Sequence, residues 1–132
     1  MEGRHGPSRG ARLSRWHANP GGDRIPLMDT LLVTTNLPDA ARARALAARL
    51  VEQRLAACVN ILPPCRSIYR WQGKVEEAEE VPLLIKTRAA CYPALEAAIR
   101  AGHPYELPEI VAVRIENGLP EYLNWVATET AA

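Results

Sequence analysis

The sequence predicts an α+β sandwich: one antiparallel sheet with two helices on a single face and a short C-terminal helix after the last strand. Three observations predict it. Apolar periodicity switches between two and about 3.6 residues in the order β-α-β-β-α-β. The segment from Lys74 to Thr87 keeps a two-residue alternation for longer than an ordinary strand. Proline or glycine marks most changes of period, at helix starts and at turns. With right-handed crossovers, this order folds as a split β-α-β topology.

Leu31 to Thr35 is a short apolar and β-branched run, which reads as a buried strand. Asn36 or Asp39 can cap the helix that follows, with Pro38 in its first turn, and the helix runs to about Arg54. Ala43, Leu46, Ala47 and Leu50 fall at i, i+3, i+4 and i+7, which gives it one core-facing stripe. Cys58 to Leu62 is the second strand, stopped by Pro63 and Pro64 because proline has no N–H for a ladder. Extended chain resumes at Arg66, with Tyr69 and Trp71 on one face. Gln72-Gly73 supplies a hairpin turn, and the return strand alternates through Val75, Val81, Leu83 and Ile85. The second helix covers about Cys91 to Ala101, with Tyr92, Leu95 and Ile99 on one side, Pro93 in the first turn and Gly102 suited to a left-handed C-terminal cap. Ile110 to Ile115 forms the last long strand, and Leu119 to Val126 a short closing helix.

The long return strand carries a consequence for assembly. Fourteen residues from Lys74 to Thr87 reach about 46 Å at ~3.3 Å per residue, against roughly 17–20 Å for a usual strand. Either the strand breaks near Glu79, Glu80 and Pro82, or its overhang pairs with another subunit. The second outcome is an oligomer built by sheet extension.

At 132 residues the chain suits one domain, and with 48% hydrophobic and 23% charged residues it has ordinary globular composition. Residues 1–27 are rich in Gly, Pro, Arg and Ser, lack periodicity and read as a flexible basic extension that need not belong to the native protein; residues 28–132 form the domain. The extension carries five arginines against Glu2 and Asp23, a net +3, which leaves −2 on the body of a chain whose total is +1. A mildly acidic body predicts no nucleic-acid partner, and no apolar run approaches the ~20 residues of a membrane span. Three cysteines without a secretory segment predict reduced thiols and a cytoplasmic location.

Five blocks of sequence then point to one family. They are Leu50 to Asn60 (LVEQRLAACVN), Ser67 to Lys74 (SIYRWQGK), Ile85 to Thr87 (IKT), His103 to Ile110 (HPYELPEI) and Tyr122 to Trp125 (YLNW). In this order and spacing, from about Leu31 to Thr130, they resemble the CutA divalent-cation tolerance family. The resemblance implies a ferredoxin-like fold and a homotrimer formed by inter-subunit strand pairing. It also implies a cytoplasmic home and a role in tolerance of copper and other divalent cations rather than an enzymatic activity.

Copper and zinc need imidazole or thiolate ligands, and the candidates are His103, Cys65 and Cys58. Some family members carry a cysteine at the end of the first strand and a histidine doublet before Pro-Tyr; here those places hold Thr34 or Thr35, and Gly102 with His103. Cys58 reads more simply as a small apolar strand residue, Cys65 as an accessible thiol, and weak metal binding by Cys65 or His103 is the expectation. No cofactor is firmly indicated beyond copper or another divalent cation. Tyr69, Trp71, Lys86, Tyr105, Glu109, Tyr122 and Trp125 form the candidate inter-subunit cleft, which either holds a small anionic ligand or closes the interface. Glu76, Glu77, Glu79 and Glu80 read as a solvated edge that resists misassociation. No nucleophile motif or phosphate-cradling loop is present. A trimeric small-molecule sensor resembling PII-type proteins, or a scaffold without ligand, is the alternative to cation tolerance.

Overall fold

The computed structural model describes residues 29–131 together with the backbones of two short strands, β1 (Trp16–Ala18) and β2 (Arg24–Pro26), which pair antiparallel with each other. Three residues carry too little alternation to register in sequence, where no regular element is expected. The expectation of a flexible extension over residues 1–27 otherwise falls outside the described residues.

The domain is mixed α+β. Its elements are β3 (Thr30–Leu37), α1 (Ala40–Glu52), β4 (Cys58–Ile61), β5 (Cys65–Trp71), β6 (Lys74–Arg88), a 3₁₀ turn at Ala89–Cys91, α2 (Tyr92–Gly102), β7 (Val111–Arg114) and α3 (Pro120–Glu129). The sheet order is β4-β6-β3-β7, every pairing is antiparallel, and β5 pairs with the far half of β6. β3 and β4 therefore run parallel with β6 between them, as do β6 and β7 with β3 between them. Among the described residues no helix is long and apolar enough to cross a membrane.

Alternation decides which face of this sheet meets the helices. Leu31, Val33 and Leu37 of β3 and Val81, Leu83 and Ile85 of β6 point to one side, where they form a core with Ala43, Leu46 and Leu50 of α1 and Leu95 and Ile99 of α2. The helical stripes are those read from sequence, with Tyr92 at the margin. Helix α1 is capped by Asp39, whose carboxylate accepts from the Arg42 N–H at 2.8 Å. Asn36 is unavailable as a cap because β3 runs two residues further than expected and absorbs it. Gly102 ends α2 without left-handed backbone, and a Cβ there would meet only the movable tip of the exposed Arg49 side chain, at 2.8 Å from Nη1. The expected left-handed C-cap role is therefore not the one Gly102 plays. Gly73, by contrast, does sit at φ +80, beside Gln72 at φ 51, in the two-residue hairpin turn that joins β5 to β6.

Strand β6 is 15 residues long and unbroken. Pro82 lies within it without cost to the ladder. Leu62 N–H donates to the Pro82 carbonyl at 3.0 Å, so Pro82 turns its N and O toward β4, and its missing N–H faces the point where β4 leaves the sheet at Pro63. β3 loses nothing. Among the described residues, the first half of β6, from Lys74 to Glu80, has only β5 for a partner. The two form a ribbon that runs beyond the sheet, with Ile68 71% and Val75 66% exposed on one of its faces. On the opposite sheet edge β7 is exposed along its length, including Val111 and Val113.

Candidate functional site

The sheet face turned away from α1 and α2 carries Leu32, Thr34 and Asn36 of β3, Pro82, Leu84 and Lys86 of β6, Cys58 and Asn60 of β4, and Val111 and Val113 of β7. Two predicted cleft residues meet this face. Lys86 Nζ donates to Asn60 Oδ1. Glu109, reaching in from the loop before β7, accepts from Thr34 Oγ1 at 3.5 Å and from Asn36 Nδ2 at 3.3 Å.

The loop between α2 and β7 fastens itself to the end of β3 through His103. Because Asn36 stands opposite Pro82 in a pair without β3–β6 hydrogen bonds, its carbonyl points to the β7 side, two residues past the last β3–β7 pair, Thr34 with Val111. His103 Nε2 meets that carbonyl at 2.6 Å, and Tyr105 N–H donates to His103 Nδ1 at 3.2 Å. The second bond makes Nδ1 the acceptor, so Nε2 carries the proton and donates. Burial lowers the His103 pKa, opposed by the Asn36 bond and the charge of Glu80. Stability from this group is therefore full above the ordinary histidine range and is lost as pH falls below it.

Glu80 departs from its expected role. Glu76, Glu77 and Glu79 are exposed, but Glu80 is 8% exposed, at the root of the ribbon where the buried side of β6 changes from one face to the other. The Tyr105 hydroxyl bonds to it. Burial first, then this bond and the Glu80 charge, push the Tyr105 pKa up to about 12. An unfolded tyrosine releases its proton near pH 10. Stability from Tyr105 is thus full below pH 10 and declines as pH rises from 10 toward about 12. Thermal melts across that alkaline range are expected to show the decline in the native chain and a flatter profile in Tyr105→Phe.

Of the remaining predicted residues, Tyr69 comes near enough to Tyr105 to contribute to its raised pKa, while the others do not gather in one chain. Cys58 is buried and stands opposite Lys86, while Cys65 is exposed and stands opposite Glu80. Six positions on β6 separate those levels, roughly 20 Å of strand. With both His103 nitrogens engaged, the three metal candidates do not converge, and the described residues hold no group of three His, Cys, Asp or Glu able to take a metal ion. Trp71 pairs with Lys74 at the ribbon tip, about 40 Å along β6 from Lys86. Tyr122 and Trp125 stack at 5.6 Å between ring centres on α3, which packs against β3 and β6. The sequence offers Asn36 as a cap, Thr34 at a family cysteine position and Glu80 on a solvated edge, and gives Asn60 no role; only register reveals these strand residues as partners of Glu109, Lys86 and Tyr105.

Residues 31–129 match the family model of the CutA1 divalent ion tolerance protein. The chain belongs to that family. It is 50% identical over 99 residues to the divalent-cation tolerance protein CutA of Thermus thermophilus, covering 75% of this chain and 96% of that one. Against protein CutA of Homo sapiens it is 46% identical over 93 residues, 70% of this chain and 52% of the other, so it spans about half the length of that relative. Among solved structures, the Thermus thermophilus CutA1 protein superposes with a TM-score of 0.76 at 48% identity, covering 77% of this chain and 99% of that one. CutA1 of Oryza sativa superposes with a TM-score of 0.76 at 37% identity, covering 78% and 94%. The CutA protein of Archaeoglobus fulgidus, described as periplasmic, reaches 0.73 at 37% identity, covering 76% and 97%.

Proposed function

We propose that this CutA-family chain works as a closed ring of three ferredoxin-like subunits in tolerance of divalent cations, without a catalytic step of its own. The observation that carries the assembly is the ribbon. Seven residues of β6 extend past the sheet, with Val75 exposed among charged neighbours, and among the described residues nothing pairs with the outer edge of β7, where Val111 and Val113 are exposed. An unpaired edge and an uncovered ribbon that holds Ile68 and Val75 in water favour mutual completion by copies of the chain. The separation of Trp71 from Lys86 supports the same reading, because only a neighbour's ribbon can bring such residues into one cleft.

The cation role rests on the family. Within it, Cys65 and His103 are proposed as weak, accessible ligands for copper rather than parts of a built centre. Cys65 has an exposed thiol, and His103 must release one of its two hydrogen bonds to bind. Three free cysteines favour a reducing, cytoplasmic setting. Calorimetric titration with copper tests the ligands: the Cys65→Ser, His103→Ala double variant is expected to lose at least about tenfold in affinity, the equivalent of ~1.4 kcal/mol. Unchanged affinity rejects them.

A further inference from the structure

Side chains from elsewhere in the fold tie down the segment that follows α3. The helix ends at Glu129 and Thr130 is already extended, so the last helical carbonyls have no partner within α3. Arg54, just past α1, donates from Nη2 to the Thr128 carbonyl at 2.7 Å, and its own carbonyl accepts from Ala131 N–H at 2.9 Å. Arg88, at the end of β6, donates from Nε to Thr130 Oγ1 and from Nη2 to the Thr130 carbonyl, each at 3.1 Å. Thr130 Oγ1 in turn donates to the Val126 carbonyl at 2.9 Å. Beneath these bonds lies Cys91, fully buried, whose thiol donates to the Ala131 carbonyl at 3.2 Å.

The way this segment is held differs from the way the core is held. Thr128, Glu129 and Ala131 are exposed, Thr130 alone is buried, and none of them belongs to the core cluster, so polar bonds rather than apolar burial keep it in place. A piece with few buried apolar contacts opens at a smaller cost than the whole fold. Arg54 also stands at φ 60, a left-handed backbone that glycine adopts freely past a helix end and that a residue with a Cβ adopts at a cost. Glycine there would remove that cost together with the guanidinium bond to Thr128, so the strain accompanies the bond that holds the segment.

We propose that residues 128–131 form a latch, pinned by Arg54 and Arg88, that opens as a local unit ahead of the core and gates access to the Cys91 thiol. Closed, it keeps Cys91 covered and inert; open, it gives the thiol to solvent. The latch goes beyond cation tolerance and depends on neither a metal nor strand pairing, because each of its bonds lies within one chain and Cys91 is not among the candidate ligands.

Alkylation of the full native chain with iodoacetamide, with each cysteine timed by peptide mass spectrometry, tests it. Cys58 is the internal reference: it is buried too, but it lies in the sheet opposite Lys86 and becomes reachable only when the sheet opens. Cys91 is expected to react at least about tenfold faster than Cys58, at a rate that low denaturant leaves unchanged because a local opening exposes little surface. Arg54→Gly and Arg88→Met should each raise the Cys91 rate by about tenfold, the loss of one charge-assisted hydrogen bond, and leave the Cys58 rate where it was. Arg54→Gly also relieves the left-handed backbone, so faster labelling in that variant reports the lost latch bond and not a weakened fold. Cys91 and Cys58 reacting in step in the native chain, a Cys91 rate that climbs with low denaturant, or an unchanged ratio of the two rates in both variants overturns the latch.

Discussion

A chain cut back at the root of its ribbon, with residues 66–79 replaced by a two-residue Asn-Gly turn between Cys65 and Glu80, is expected to stay folded and to exist as a single copy. Every member of the core cluster lies outside the excised segment, so the β3, β4, β6 and β7 pairings and both helices retain their burial. The loss falls on association alone. The excision removes Ile68, Tyr69 and Val75, the exposed large apolar and aromatic residues of the ribbon, and the unshared length of β6. Sedimentation of the shortened chain should report one copy with native helical circular dichroism. A shortened chain that still sediments as three copies places the interface elsewhere.

The second large effect is in the core. Leu83 is fully buried at the centre of the sheet, opposite Thr35 on one side and Ile61 on the other, with its side chain beneath the helices. Leu83→Ala removes that packing and leaves a cavity that strands paired on both sides cannot close, a cost of about 2–5 kcal/mol. Against a domain stability of ~5–15 kcal/mol, that is a large share of the whole. Association of copies would add to the stability of the folded chain by mass action, so denaturant midpoints are compared at one protein concentration. Val75→Ala, exposed in a single copy, makes the contrast: its cost should be small in the shortened or dissociated chain and appear only where copies associate.

What the sequence made legible follows from period and punctuation. The stripe from Ala43 to Leu50 and the alternation from Val81 to Ile85 identify their elements and their buried faces, because each pattern is long enough to exclude the other period. Boundaries were less legible where tertiary contacts set them. The last strand runs Val111–Arg114, inside the expected Ile110–Ile115: Ile115 N–H still donates to the Thr30 carbonyl at 2.9 Å, while at the other end His103 takes the Asn36 carbonyl, the next one that faces outward. Glu80 looked like its three acidic neighbours, since nothing local marks the point at which a twisted strand turns a charged residue inward. The grouping of Lys86 with Asn60, and of Glu109 with Asn36, depends on strand register across 26 and 73 positions and has no local signature.

Completion of the ribbon by other copies of the chain is decided by counting subunits. Native mass spectrometry of the intact chain over a series of dilutions is expected to show one persistent species at three times 14.5 kDa. A stable species at 14.5 kDa under the same conditions contradicts the account.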